Sequence, residues 1–303
     1  MLTEAQISRA GAASASALII FQEEIDMRDL CPEERMLSYS KYFYMEMSKP
    51  DPVAMQVLNS GPLPYELTLR FEDKMDLFRP GYLPAEQGYS ILPDGGGYIA
   101  NYVKMPGVTV EMIDWWFIWH FIAPPSVPKG NGNLRYKIWC PKEHWDTGTK
   151  TPEDLAQYLD ESLPMRERRY GPTNFIVESV DGTGENLMQI EAQSFPPEVF
   201  GLDVNFLNRP GIGTVLTAYI AVGSPNVGIH YYRPIPGGVE LRTRYWMGYE
   251  LKDAKLIRKL DGPQPTEELV RQFTLHNMTE YPHLAKFLPS LYAEEGNKPL
   301  NAY

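Results

Sequence analysis

The chain has 303 residues, 43% of them hydrophobic and 22% charged, which allows a sizeable core and excludes global disorder. A net charge of −11 and a pI near 5.0 argue against nucleic acid or an anionic membrane as partners. Two cysteines, Cys31 and Cys140, are too few for a disulfide framework, and the apolar run Ala17–Phe21 is too short for a leader or membrane span, so a cytoplasmic protein is expected.

Residues 1–85 read as a mostly helical cap, with helices over Thr3–Met27 and Pro32–Met47 and proline breaks at Pro50, Pro52, Pro62 and Pro64. Residues 86–303 read as the catalytic domain. Gly95-Gly96-Gly97 is a turn leading into a strand over Tyr98–Met105, and no phosphate-cradling pattern surrounds it. Thr109 can cap a helix from Val110 to about Ile122 that carries Trp115-Trp116-Phe117-Ile118-Trp119-His120 and stops before Pro124-Pro125. His120 at the end of this aromatic wall is either a packed histidine or a metal ligand.

Leu134–Trp139 alternates like a strand and leads into Cys140-Pro-Lys-Glu-His144; a short acidic helix follows over Pro152–Leu159. Strand signals then recur over Thr173–Val180, Asn186–Ser194, Gly213–Val222, Gly228–Pro234 and Gly238–Leu251. Pro265-Thr266 opens a long terminal helix that Pro282 should kink. Many antiparallel strands closed by one long helix predict an α+β fold.

That helix carries His276 and Glu280, four residues apart and so on one face, among Leu269, Phe273, Leu284, Phe287, Leu288 and Leu291 at helical spacing. Such a pair is most often solvated. On an apolar face it suits a divalent metal such as zinc, which takes nitrogen and oxygen ligands.

The strings Pro106-Gly-Val-Thr, Trp115-Trp-Phe-Ile-Trp-His120, Leu134-Arg-Tyr-Lys-Ile-Trp139, Gly238-Val-Glu-Leu-Arg-Thr-Arg-Tyr-Trp-Met-Gly-Tyr249 and His276-Asn-Met-Thr-Glu280 together resemble the diacetylphloroglucinol and phloretin hydrolase family over about residues 90–292. The resemblance implies a Bet v 1-like helix-grip fold, a curved antiparallel sheet around a long C-terminal helix. It also implies a homodimer and a Zn2+ held by two histidines and two glutamates. Carried onto this chain, the metal ligands are His120, His276, Glu280 and one glutamate from Glu143, Glu153, Glu161 and Glu167, with Glu167 favoured. His230 matches a substrate-site histidine and Tyr245 a substrate-site tyrosine. Family members carry a tyrosine and an asparagine where this chain has Met112 and Ala123.

The implied reaction cleaves the aryl–acyl C–C bond of a small acylphenol, an acylphloroglucinol or phloretin-like compound, to a phenol and a carboxylic acid. His230 would carry the proton to the ring carbon, and zinc would activate water and the acyl carbonyl. Two other readings stand beside it: a non-haem iron oxygenase using His120, His276 and Glu280, and a non-catalytic helix-grip carrier of a hydrophobic ligand.

Overall fold

The computed structural model describes residues 30–222 and 225–302, so the expected helix Thr3–Met27 lies outside the described residues. Eight antiparallel strands form one sheet in the order β1-β2-β8-β7-β6-β5-β4-β3. They are β1 Gly88–Ile91, β2 Gly97–Pro106, β3 His144–Thr149, β4 Thr173–Glu178, β5 Met188–Ser194, β6 Thr214–Val222, β7 Asn226–Ile235 and β8 Gly238–Met247. A separate hairpin pairs β9, Tyr249–Lys252, with β10, Lys255–Arg258. The α+β expectation is met: a large antiparallel sheet precedes a C-terminal helix, Glu267–Glu295.

The central strands are buried on both faces because both faces are covered. On β7, Val227, Ile229 and Tyr231 enter a cluster with Phe71, Leu77 and Phe78 of a 3-10 helix, Phe71–Phe78. Alternate residues point the other way, and Tyr232 packs with Trp116 and Leu284 in the main core. The C-terminal helix starts at Thr266, whose hydroxyl accepts from the Leu269 N–H at 3.2 Å, and it packs on β1 and β2. It contains Pro282 and Pro289; Pro282, two residues after Glu280, has no N–H to give the Met278 carbonyl.

The Trp-rich helix, Val110–Trp119, packs Trp115, Trp116, Ile118 and Trp119 into the core. Asp114 clamps it to the sheet side: its Oδ1 accepts from Arg169 Nη1 at 2.8 Å and from Thr214 Oγ1 at 2.7 Å. A doubly bonded buried carboxylate fixes the helix rotation, and with it the aromatic wall.

Three expectations about elements are corrected. Leu134–Lys137 is a helical turn and not a strand: Asn133 caps it, accepting from the Arg135 N–H at 3.0 Å. Its apparent polar positions are buried, with Arg135 Nη1 donating to the Leu300 carbonyl at 2.7 Å and Lys137 paired to Glu34 at 2.9 Å. The strand expected over Gly238–Leu251 breaks at Gly248, whose φ of +81° is closed to most side chains. In place of one helix over Pro32–Met47 there is a turn of α-helix, Pro32–Arg35, then a 3-10 helix, Ser40–Tyr44. Tyr39 and Tyr42 are both buried, a spacing of three that a 3-10 turn aligns.

Candidate metal centre

Three elements distant in sequence bring together two imidazoles and two carboxylates. His144 opens β3 and pairs in register with Glu178, the last residue of β4. His276 and Glu280 face them from the C-terminal helix. His144 Nε2 lies 3.4 Å from His276 Nε2 and 3.4 Å from Glu280 Oε2. His276 Nε2 is 3.6 Å from the same oxygen. Glu178 Oε2 stands 3.7 Å from His144 Nε2 and 4.0 Å from His276 Nε2. Four donors held by a tetrahedral zinc at about 2.0–2.2 Å are separated by about 3.3–3.6 Å. The cluster has nearly that size.

Each imidazole is oriented from behind. His276 Nδ1 donates to Glu143 Oε2 at 3.1 Å, and His144 Nδ1 faces the Tyr136 carbonyl at 3.3 Å. With the proton on Nδ1, the His144 ring turns its Nε2 lone pair inward, and His276 would do the same on giving up its Nε2 proton, the tautomer a metal-binding histidine uses. The Tyr136 ring stacks on His144, centroids 3.9 Å apart and 6° from parallel, and its hydroxyl donates to Glu178 Oε2. Trp139 Nε1 donates to the Glu280 carbonyl at 3.0 Å.

The electrostatics call for positive charge. Burial, then His276 and His120, push His144 well below the ordinary imidazole range, so it is neutral. Burial works against a charged His276 too, but Glu280, Glu143 and Glu178 outweigh it and raise it to about 10. Burial, reinforced by Glu178 and Glu143, lifts Glu280 to about 8 against the pull of His276. Three carboxylates in a dry pocket thus share little cationic charge. A divalent ion fits both the donor chemistry and the charge deficit. Cys140 also lies within ligand reach of His144 and His276, but its thiol points at Glu143 Oε2, 3.4 Å away, and burial pushes its pKa well up.

The cluster opens onto a cavity of about 110 Å³ lined by Phe117, His120, Tyr136, Trp139, His230 and Tyr245, among others. That is the scale of the ~150 Å³ cavity known to accept benzene. On its far wall, His230 Nε2 is 2.8 Å from the Tyr245 hydroxyl, and Nδ1 is 3.0 Å from Thr243 Oγ1 and 3.2 Å from the Tyr281 hydroxyl. Burial lowers His230 to about 3 and raises Tyr245 and Tyr281 well above 10, so all three groups are neutral. Tyr245 reaches His230 by lying across Gly228: a Cβ there would sit 2.5 Å from its Cε1.

The structure gathers His276, Glu280, His230 and Tyr245 around this cavity but leaves two expected ligands outside the cluster. His120 also lines the cavity with its ring stacked on Trp116, but unlike Cys140 it does not lie within ligand reach of His144 and His276. Glu167 is exposed on a short helix, Met165–Arg168, on another part of the surface. Of the other glutamates considered, Glu153 and Glu161 are exposed, and Glu143 backs His276 without joining the donor set. His144 and Glu178 stand in the cluster instead. Sequence reasoning missed both because they meet through strand pairing, which leaves no periodic mark; the one local hint was the run Trp145, Thr147 and Thr149 after His144, which suits a strand.

The DAPG hydrolase PhiG domain matches residues 67–293. The chain is 33% identical over 275 residues to the 2,4-diacetylphloroglucinol hydrolase of a Pseudomonas species, covering 85% of this chain and 88% of that protein. The enzyme of the same name from Pseudomonas protegens is 32% identical over 275 residues, covering 85% and 84%. The phloretin hydrolase of Eubacterium ramulus is 29% identical over 271 residues, covering 87% and 92%. A chain matched over this much of its length, with a buried two-His, two-Glu cluster at a ring-sized cavity, belongs to the DAPG hydrolase family and is a hydrolase of that kind.

Proposed function

We propose that this protein is a zinc-dependent hydrolase that cleaves the aryl–acyl C–C bond of a single-ring acylphenol, giving the phenol and a carboxylic acid. The observation that carries the reading is the convergence of His144 Nε2, His276 Nε2, Glu178 Oε2 and Glu280 Oε2 at 3.4–4.0 Å beside the cavity. These four residues would hold the ion. A zinc ion there supplies Lewis-acid polarisation of the acyl carbonyl and lowers the pKa of a water molecule.

The remaining work falls to side chains. Hydrolysis places a hydroxyl on the acyl carbon and a hydrogen on the ring carbon, so the ring must first be protonated where the bond breaks. A ring hydroxyl can lose its proton as that carbon gains one, giving a ketone tautomer. The Tyr245 hydroxyl, 2.8 Å from His230 Nε2, is placed to pass the proton to the imidazole and back to carbon. His230 starts and ends neutral, as its lowered pKa of about 3 requires, and its protonated form is a strong acid for the return step. Phe117, Trp139 and Phe273 wall the cavity and exclude bulk water.

The long helix lying against β1 and β2 of the antiparallel sheet supports the helix-grip reading, and we retain a division near residue 85, where the short helices give way to β1 at Gly88. A homodimer and a cytoplasmic location remain parts of the proposal; no described helix is long and apolar enough to cross a membrane. The test is acid release from acylphloroglucinols, read by mass spectrometry with and without a chelator and in the absence of O₂. Chelator-sensitive, oxygen-independent release is expected. Release that requires O₂ supports the iron oxygenase instead, and ligand binding without any product supports the carrier.

A further inference from the structure

Asn226 opens β7, two residues before Gly228 and four before His230, so its side chain shares their cavity-facing side of the strand. It lines the cavity and is 2% exposed, yet its Oδ1 has no hydrogen-bond partner. The cavity's other buried polar atoms are served within the protein. Asn174 exchanges hydrogen bonds with the Tyr158 hydroxyl at 2.8 and 3.1 Å, His230 has Tyr245 and Thr243, and Tyr136 has Glu178. Among the described residues that line the cavity, Asn226 Oδ1 is the one buried side-chain N or O atom left over. Folded proteins rarely keep a buried amide oxygen without a donor unless something else supplies one.

Position says what that donor is. His144 and Glu178 stand on β3 and β4, whereas β7 lies three places from β4 in the sheet order, about 14 Å along the sheet at about 4.8 Å per strand. An acylphenol with its carbonyl at the metal cluster therefore turns the far side of its ring towards β7. The oxygen farthest from the acyl group is a hydroxyl para to it. Resting on the acylphenol reading above, we propose that Asn226 Oδ1 accepts a hydrogen bond from this para hydroxyl, making the enzyme selective for rings that carry it. An acceptor at that hydroxyl also drives electron density towards the ring carbon bearing the acyl group, the carbon that must be protonated. Asn226 is thus a specificity-determining residue, acting on the substrate rather than on the ion.

The experiment compares wild type with Asn226→Leu and Asn226→Ala in two arms. In the first, calorimetry measures binding of phloroglucinol and of resorcinol, which lacks one hydroxyl. Wild type should prefer phloroglucinol about tenfold or more, and both variants should lose the preference while resorcinol binding stays within about twofold. In the second, kcat/KM is compared for 2,4,6-trihydroxyacetophenone and 2,6-dihydroxyacetophenone, with the same collapse of the ratio expected. A ratio that survives in the variants, or a wild type with no preference, overturns the proposal and leaves Oδ1 to an ordered water. If neither ketone is cleaved while the binding ratio still depends on Asn226, the hydrolase reading fails and the ring-recognition role stands. The alanine variant decides the matter if leucine prevents folding.

Discussion

Adding one methyl group at Gly228 should disable the enzyme without touching its metal. The Cβ of Gly228→Ala would lie 2.5 Å from Tyr245 Cε1 and 2.7 Å from Cδ1. Carbon atoms pack at about 3.5–4.0 Å, so the ring must retreat by about 1 Å. Both residues sit within paired strands, Gly228 opposite Tyr245 in the β7–β8 register, so the backbone cannot yield easily. Overpacking of this kind costs about 1–3 kcal/mol, which for a domain of this size lowers Tm by about 2–6 °C. The larger effect is on turnover. Tyr245 would leave its 2.8 Å contact with His230, and a misplacement of about 1 Å in a reacting constellation can lower the rate about a hundredfold. Calorimetry, metal analysis and the kinetics of acid release on the same preparation separate these effects. Full metal content, a modest fall in Tm and a kcat/KM down about a hundredfold are expected. Wild-type turnover with wild-type Tm would refute the reasoning, since it would mean that Tyr245 does not depend on the space above Gly228.

Glu143→Gln should keep the donor set but loosen the orientation of His276, whose Nδ1 it receives at 3.1 Å; metal affinity should fall about 10–100-fold in a competition titration. Acid should destabilise the fold through its buried histidines. Burial lowers His120 and His230 to about 3 and, with Lys286, His283 to about 4, all below the ordinary 6.5. The unfolded chain binds more protons between these values and 6.5, so the contribution of these three groups to stability is constant above about pH 6.5 and falls below it. The slope is about 1.4 kcal/mol per pH unit per group, and urea midpoints from pH 7.5 to 4.5 should show it; a flat profile would mean that these rings are charged in the fold. The cavity of about 110 Å³ should admit one ring with a short acyl chain more readily than a two-ring dihydrochalcone, so kcat/KM for 2,4,6-trihydroxyacetophenone should exceed that for phloretin about tenfold or more.

What could be read without coordinates was whatever is local in the chain. His276 and Glu280 are four residues apart on one helix, and their apolar neighbours repeat at helical spacing, so the pair, the helix and its Thr266 cap were all visible. The strands from Thr173 onwards alternate between turn residues and were visible for the same reason. His144 and Glu178 were not, because the β3–β4 pairing that unites them belongs to the sheet. His120 was a persuasive substitute: it ends a tryptophan-rich helix and does reach the cavity wall, but it stands outside the group of His144 and His276. The turn at Leu134–Lys137 misled for a related reason. Its charged residues looked like the solvent side of a strand, whereas Arg135 and Lys137 are buried against Leu300 and Glu34. The family resemblance sets a tyrosine and an asparagine where this chain has Met112 and Ala123; here Tyr136 stacks on His144, and Asn226 lines the cavity from β7.

The central claim is that His144, Glu178, His276 and Glu280 together hold one ion. Metal stoichiometry by mass spectrometry of folded, dialysed single variants tests it most directly. His144→Ala and Glu178→Gln should lose bound zinc as His276→Ala does, while His120→Ala and Glu167→Gln should keep about one zinc per chain. Zinc retained in the first pair and lost in the second would contradict the account and return the site to the end of the tryptophan-rich helix.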